Sequence, residues 1–319
     1  MTNIPGISDI REAAARIAPL AHRTPVLTSL AINEICGMQL FFKCENLQKV
    51  GAFKFRGACN AVMSLGEAEA AAGVATHSSG NHAQALALAA RMRGIPAHIV
   101  MPETSPKIKQ KAVAGYGGRI TLCKPTLQAR EETLEQVVAE TGATFIHPFN
   151  NDRIIAGQGT AALELLEEIT DLDAIIAPVG GGGLMSGTAI AAKALAPDIS
   201  VWGAEPAGAD DAIRSLAAGR IIPSQNPRTI ADGLLTSLAD KTFAIISRHV
   251  ERIYPASDEA IVRAMRLIWE RMKIIVEPSG AVPLAALLEK GPGGKAQKVG
   301  IIISGGNLDL DRLPWQESQ

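Results

Sequence analysis

Short apolar runs of strand length alternate with helix-length runs along almost the whole chain. Strands are expected at 40–44, 74–77, 97–101, 119–122, 174–178, 201–204 and 299–303, and helices at 81–93, 106–114, 127–140, 154–168, 184–194, 258–272 and 278–289. Within 127–140, Leu127, Leu134, Val137 and Val138 recur on one helical stripe. Gly94, Gly115 and Gly142 stand where helices are expected to stop. A parallel strand pair needs a long crossover rather than a tight turn, and a helix supplies it. The alternation therefore predicts an α/β fold of mostly parallel sheets with helices on both faces. No internal repeat or low-complexity tract interrupts it, and Gly291 to Lys295 reads as a surface loop.

With 319 residues, 47% of them hydrophobic and 20% charged, the chain can bury a substantial core as one large or two medium domains. A net charge of −1 gives no support for binding nucleic acid or a membrane surface. No apolar run approaches the ~18 residues that span a bilayer. The first ten residues carry Asp9 and no basic segment ahead of an apolar one, so no secretory leader is expected. Cys36, Cys44, Cys59 and Cys123 lack metal-type spacing and read as reduced, buried thiols of a cytoplasmic protein, with Cys44 and Cys59 at core positions.

Four short runs carry the chemistry. In Gly51-Ala52-Phe53-Lys54-Phe55-Arg56-Gly57, Lys54 sits between two phenylalanines. Either its stem packs on them while the amine reaches water, or the amine is desolvated, loses basicity and can form a Schiff base. Gly180-Gly181-Gly182-Gly183-Leu184 lies between an expected strand and an expected helix. Glycines there let backbone amides approach an anion at a helix N-terminus, which an ordinary turn does not require. No Lys-Ser or Lys-Thr pair follows, which argues against a nucleotide P-loop. Ser78-Ser79-Gly80-Asn81-His82 also opens a helix, where Ser79 or Asn81 can serve as N-cap and the free amides can receive a carboxylate. Ser304-Gly305-Gly306-Asn307 ends the last strand, as a turn or as part of a site.

In order and spacing these runs resemble the fold-type II pyridoxal-phosphate enzymes, which are tryptophan synthase β-like. The match is to the branch of serine racemases, serine and threonine dehydratases and 3-hydroxyaspartate dehydratases. It extends from Arg23-Thr24-Pro25 to Ser304-Gly305-Gly306-Asn307, through Gly157-Gln158-Gly159-Thr160, Ala204-Glu205-Pro206, Ile230-Ala231-Asp232-Gly233 and Glu277-Pro278-Ser279-Gly280. The resemblance implies two α/β lobes, a small one at 69–148 and a large one at 1–68 plus 149–319, with pyridoxal 5′-phosphate in the cleft and a homodimer as the assembly. Lys54 would carry the cofactor aldehyde and act as acid and base on one face, with Phe53 beside it. Ser79 would face it from the other side, so that either configuration of substrate could be handled. Asn81 would bond the ring oxygen, Ser304 the ring nitrogen, and Gly180 to Leu184 the phosphate.

The small amino-acid substrate would lie on Ser78, Ser79, Gly80, Asn81 and His82. Arg130 matches a substrate-side arginine, and the acids Glu131, Glu132 and Glu135 do not stand at pairing distance from it along the helix. A solvated helix face is the other reading of Arg130. Glu205, the Ala209 carbonyl and Asp211 match a divalent-cation site for Mg2+, Ca2+ or Mn2+; Asp210 and Asp211 could instead cap the following helix. Ala52 and Val50 depart from the serine and threonine common in relatives. The activity implied is elimination of water and then ammonia from a hydroxy amino acid, with 3-hydroxyaspartate leading, and serine/threonine dehydration or amino-acid racemisation as alternatives.

Overall fold

The centre of the larger sheet is built from the last strand of the chain. A computed structural model describes residues 4–291 and 296–316, so residues 292–295 of the expected surface loop lie outside the described residues. The described strands are β1 (Val26–Leu27), β2 (Gln39–Cys44), β3 (Val74–His77), β4 (Ala97–Pro102), β5 (Arg119–Cys123), β6 (Thr144–Phe145), β7 (Ala174–Pro178), β8 (Ser200–Pro206), β9 (Arg252–Ala256) and β10 (Lys298–Ile303). They form a six-stranded sheet of order β1-β2-β10-β7-β8-β9 and a four-stranded sheet of order β5-β4-β3-β6. Only β1 on β2 is antiparallel; the other pairs are parallel. The α/β expectation holds.

Alternation within each strand feeds two cores. On β10, Val299, Ile301 and Ile303 enter one cluster while Ile302 enters the other, and β7 divides in the same way between Ile176 and Ile175. Both faces are buried, which is why these strands read as continuous apolar runs. Helices Pro278–Lys290 and Asp258–Leu267 cover the first face, and Asp152–Glu168 and Gly183–Leu195 the second. In the smaller sheet Val74, Ile99 and Met101 face one cluster and Ala75 and Val100 another.

The expected elements recur within one or two residues at their ends, with instructive departures. Two of the unexpected strands, β1 and β6, are two residues long, too short to show a period. The third, β9, carries Pro255, which an edge strand tolerates because one side of its ladder is unpaired. Helix Leu127–Thr141 buries Leu134 and Val137, but Leu127 is exposed, because burial begins only from the second turn. Gly94 and Gly142 cap their helices in the left-handed region, at φ 76° and 72°. Gly115 does not: it is the last helical residue, and Gly117 takes the left-handed turn. The 258–272 helix changes to a π-helix at Ile268–Met272. Cys44, Cys59 and Cys123 are buried free thiols, whereas Cys36 is only half-buried.

Candidate active site

Lys54 opens the helix Lys54–Met63, whose first turn is pinned to the end of β10. The Phe53 amide donates to the Ser304 carbonyl at 2.9 Å, Ala52 bridges Gly305, and the Gly306 amide donates to the Gly51 carbonyl at 2.9 Å. Two runs about 250 residues apart in the chain thus form one surface, and Ser304, buried, directly follows the central strand. The Lys54 amine donates to the Pro148 carbonyl at 3.0 Å and lies 5.2 Å from the Phe53 ring centre. Among the described residues no carboxylate pairs with it. Desolvation without a counter-ion lowers its pKa to about 8.

Phe149, next to Pro148, joins this surface to the glycine run. A Cβ at Gly181 would meet the Phe149 ring at 2.4 Å, so only glycine lets the backbone approach so closely. Gly182 takes φ 85° at the cap of helix Gly183–Leu195. Gly180 to Gly183 and Leu184 are buried, and among the described residues none of the amides from Gly180 to Met185 donates to a protein acceptor. Those donors and the helix dipole make an anion cradle at the end of β7, the strand beside β10.

The smaller sheet supplies the facing wall. Ser78, Ser79 and Gly80 leave the end of β3 half-buried, and Asn81 and His82 begin the helix Asn81–Arg93. The expected side-chain N-cap is absent there: Gly80 is the cap residue and no side chain caps the helix. Asn81 donates to both Glu277 carboxylate oxygens, at 3.0 and 3.2 Å, and accepts from Asn307 at 2.9 Å. His82 is buried with Nε2 3.4 Å from the Ile146 carbonyl, and burial holds its pKa well below the usual histidine range.

Several neighbours carry no signal in the sequence. His77, Phe145, His147 and Phe149 form a chain of ring contacts with centroids 4.6 to 6.4 Å apart. The His147 Nδ1 accepts from the Phe149 and Asn150 amides at 3.2 and 2.9 Å, which leaves Nε2 as the protonated nitrogen. Burial, reinforced by His77 and Lys54, depresses its pKa to about 4. Arg130 is half-buried on helix Leu127–Thr141 beside His77, whose pKa falls through burial first and the guanidinium second. Its Nε donates to the Thr126 carbonyl at 3.4 Å, and it has no ion-pair partner among the described residues.

Glu205, Ala209 and Asp211 gather at the end of β8, beside the strand that carries the glycine run. Glu205, rather than either aspartate, satisfies the next helix: it accepts from the Ala212 and Ile213 amides at 3.0 Å each. Asp211 is buried with neither carboxylate oxygen hydrogen-bonded. Burial, with the other acid nearby, raises Glu205 to about 8, and burial raises Asp211 to about 6. Among the described residues no group of three or more His, Cys, Asp or Glu is assembled.

Comparison with known proteins agrees with this layout. The model of the "Pyridoxal-phosphate dependent enzyme" family matches residues 17–305. A beta-hydroxyaspartate dehydratase of Paracoccus denitrificans is 54% identical over 98% of this chain and 99% of that protein. The serine racemase of Dictyostelium discoideum is 53% identical over 96% of each, and its crystal structure superposes with a TM-score of 0.92, covering 96% of this chain and 99% of that one. The crystal structure of a T.th. threonine deaminase, 46% identical, covers 96% of this chain and 99% of that one with a TM-score of 0.91. By sequence and by architecture, this chain belongs to the family of pyridoxal-phosphate-dependent enzymes, in the branch of hydroxyaspartate dehydratases, serine racemases and threonine deaminases.

Proposed function

We propose that this chain removes water and then ammonia from a hydroxy amino acid, with 3-hydroxyaspartate as substrate. The residues fit pyridoxal phosphate: a desolvated amine at Lys54, a row of free amides at Gly180–Met185, and Ser304 between them on the neighbouring strand end. In this reading the amides hold the phosphate, Ser304 meets the ring nitrogen, and Asn81 gives its remaining Nδ2 proton to the ring oxygen. Pyridoxal phosphate held there would supply a sink for the electron pair left at the substrate Cα.

The chain's own residues then do the following. The Ser79, Asn81 and His82 amides, with Ser78 and Gly80 shaping the turn, orient the α-carboxylate at the helix N-terminus. Lys54, whose lowered pKa leaves part of the amine neutral near pH 8, takes the Cα proton and returns one to the departing β-hydroxyl. Release of water leaves an enamine that becomes the imine, and hydrolysis yields oxaloacetate and ammonia. Ser79 serves the opposite face, and serine racemisation is the second reading it supports, given the racemase relatives. Glu205, the Ala209 carbonyl and Asp211 would hold Mg2+ or a similar hard cation; the two orphaned oxygens of Asp211 fit that role. We read the two sheets as two lobes, 69–148 and the remainder, that meet around the substrate.

The observation that carries the choice of substrate is Arg130. Among the described residues it has no counter-ion, it stands beside His77, one residue before the Ser78–Ser79 turn, and a guanidinium can take a distal carboxylate bidentately. The test is ammonia and keto-acid release from cofactor-loaded protein, with and without Mg2+, on the isomers of 3-hydroxyaspartate, L- and D-serine, and L-threonine. Oxaloacetate from one hydroxyaspartate isomer should dominate. Arg130→Ala should lower kcat/KM for hydroxyaspartate about tenfold or more while sparing serine. Equal losses on both substrates, or none, would sink this choice. Loss of optical activity without ammonia would identify a racemase.

A further inference from the structure

The ends of an asparagine side chain have the same shape, so its orientation is decided by its partners. At Asn81 the partners are unambiguous. Glu277, when ionised, can only accept, and it faces Nδ2. Asn307 donates through its own Nδ2 to Asn81 Oδ1 at 2.9 Å. The Asn307 backbone amide also donates to Glu277 Oε2 at 3.0 Å, so the three residues close a ring. Glu277 takes one Nδ2 proton of Asn81 and leaves the other free.

Asn307 reaches a second target. Its Nδ2 donates to the Val50 carbonyl at 2.6 Å. Val50 is a β-branched residue at φ 55°, a conformation that persists only where the surroundings impose it. Gly51 follows at φ 68°, and a Cβ there would lie 2.6 Å from Asn307 Oδ1. This turn delivers the chain to Lys54.

We propose that Glu277 and Asn307 are positioning residues: together they lock the Asn81 amide with nitrogen toward the cofactor, and Asn307 ties that lock to the turn that presents Lys54. The proposal rests on the reading that Asn81 bonds the cofactor's ring oxygen. The lock depends on an ionised Glu277, because a protonated carboxyl can donate and no longer dictates which end of Asn81 it meets. The groups facing Glu277 are Asn81, Asn307 and Asp232, which lies on the turn Asp232–Leu234 and is paired at 2.5 Å with Lys109 of helix Lys107–Gly115. Burial first, then Asp232, raises the Glu277 pKa to about 7.

The experiment follows the absorbance and fluorescence of bound pyridoxal phosphate from about pH 5.5 to about pH 9, together with its Kd for the cofactor-free protein. It uses the wild type, Asn81→Ala, Glu277→Gln and Asn307→Asp. Glu277→Gln is nearly isosteric but can satisfy only one of the two donors, and Asn307→Asp replaces the donor facing Asn81 with an acceptor. Both should reproduce the Asn81→Ala spectrum and weaken cofactor binding about tenfold. The wild-type spectral change near pH 7 should be absent from Glu277→Gln. If Asn81→Ala changes the spectrum while Glu277→Gln keeps the wild-type spectrum, Kd and pH profile, the lock is refuted and the reading of Asn81 stands. If Asn81→Ala itself leaves spectrum and Kd unchanged, that reading fails first. Should Asn307→Asp not fold, Glu277→Gln and the wild-type pH profile decide alone.

Discussion

Lys54, half-buried, and Arg56, fully buried, lie two residues apart in the first turn of one helix, and they meet opposite surroundings. Arg56 is fully buried and surrounded by acceptors. Its Nε and Nη2 meet Glu45 at 2.7 and 2.8 Å, its Nη1 and Nη2 meet Glu164 at 2.7 and 2.8 Å, and Thr160 accepts a further bond. Lys43 completes the cluster by pairing with Glu164 at 2.6 Å. Those carboxylates hold Arg56 protonated against burial. Lys54 has one carbonyl and an aromatic ring, and burial wins, so its amine becomes available near neutral pH. Desolvation acts on both, and in the function proposed above the counter-ions decide which cation is scaffold and which is reagent.

The largest effect expected from this contrast is on Lys54 itself. Lys54→Ala should lower ammonia release more than about 10³-fold, since the proposed attachment point and base are lost together. Borohydride reduction should then no longer fix pyridoxal phosphate to the peptide containing residue 54, as read by mass spectrometry. Retained attachment at that peptide would end the comparison. Next, Arg56→Met should destabilise the fold by about 3–5 kcal/mol in urea, because Glu45 is left buried without its partner. Unchanged stability would mean that the cluster is neutral in sum.

The smallest effect is the most discriminating, because its size depends on pH. In the cofactor-free protein the Lys54 pKa is about 8 against about 10.5 in the unfolded chain. Between those values the unfolded chain holds more protons, so stability rises with pH, and below 8 the fold bears the full cost of a buried ammonium. Lys54→Met removes that cost. Its melting temperature should therefore exceed the wild type's near pH 7, and the gain should shrink as pH rises from about 8 to 10.5. Melting at equal temperatures throughout would mean that Lys54 is solvated in the free protein.

Much of this was legible beforehand. The positions of Asn81, Gly180 to Leu184 and Ser304 follow from apolar runs that end in short polar or glycine-rich turns, because parallel strands present their carboxyl ends at one rim. The bounds of the helix that carries Lys54 were not legible, although Cys59 reads as a helix core position: Lys54–Met63 is buried on nearly every side, its polar Arg56 and Asn60 included, so no solvent-facing stripe delimits it. Leu127 misled for the converse reason, since a stripe records where packing can occur and not how far it extends. His77, His147 and Phe149 carry no motif. Their part in the site comes from the end of β6 lying next to β3, and β6 is only two residues long.

The class of fold and the inventory of reactive groups rest on period and composition, which are local and survive in any arrangement of the strands. The tertiary structure decided which charge is compensated. Glu45 and Glu164 reach Arg56 from 11 and 108 positions along the chain, Glu277 and Asn307 reach Asn81 from 196 and 226, and no carboxylate reaches Lys54 among the described residues. Burial and pairing depend on distances in space, which no local pattern encodes, and the reactivity of the site follows from them.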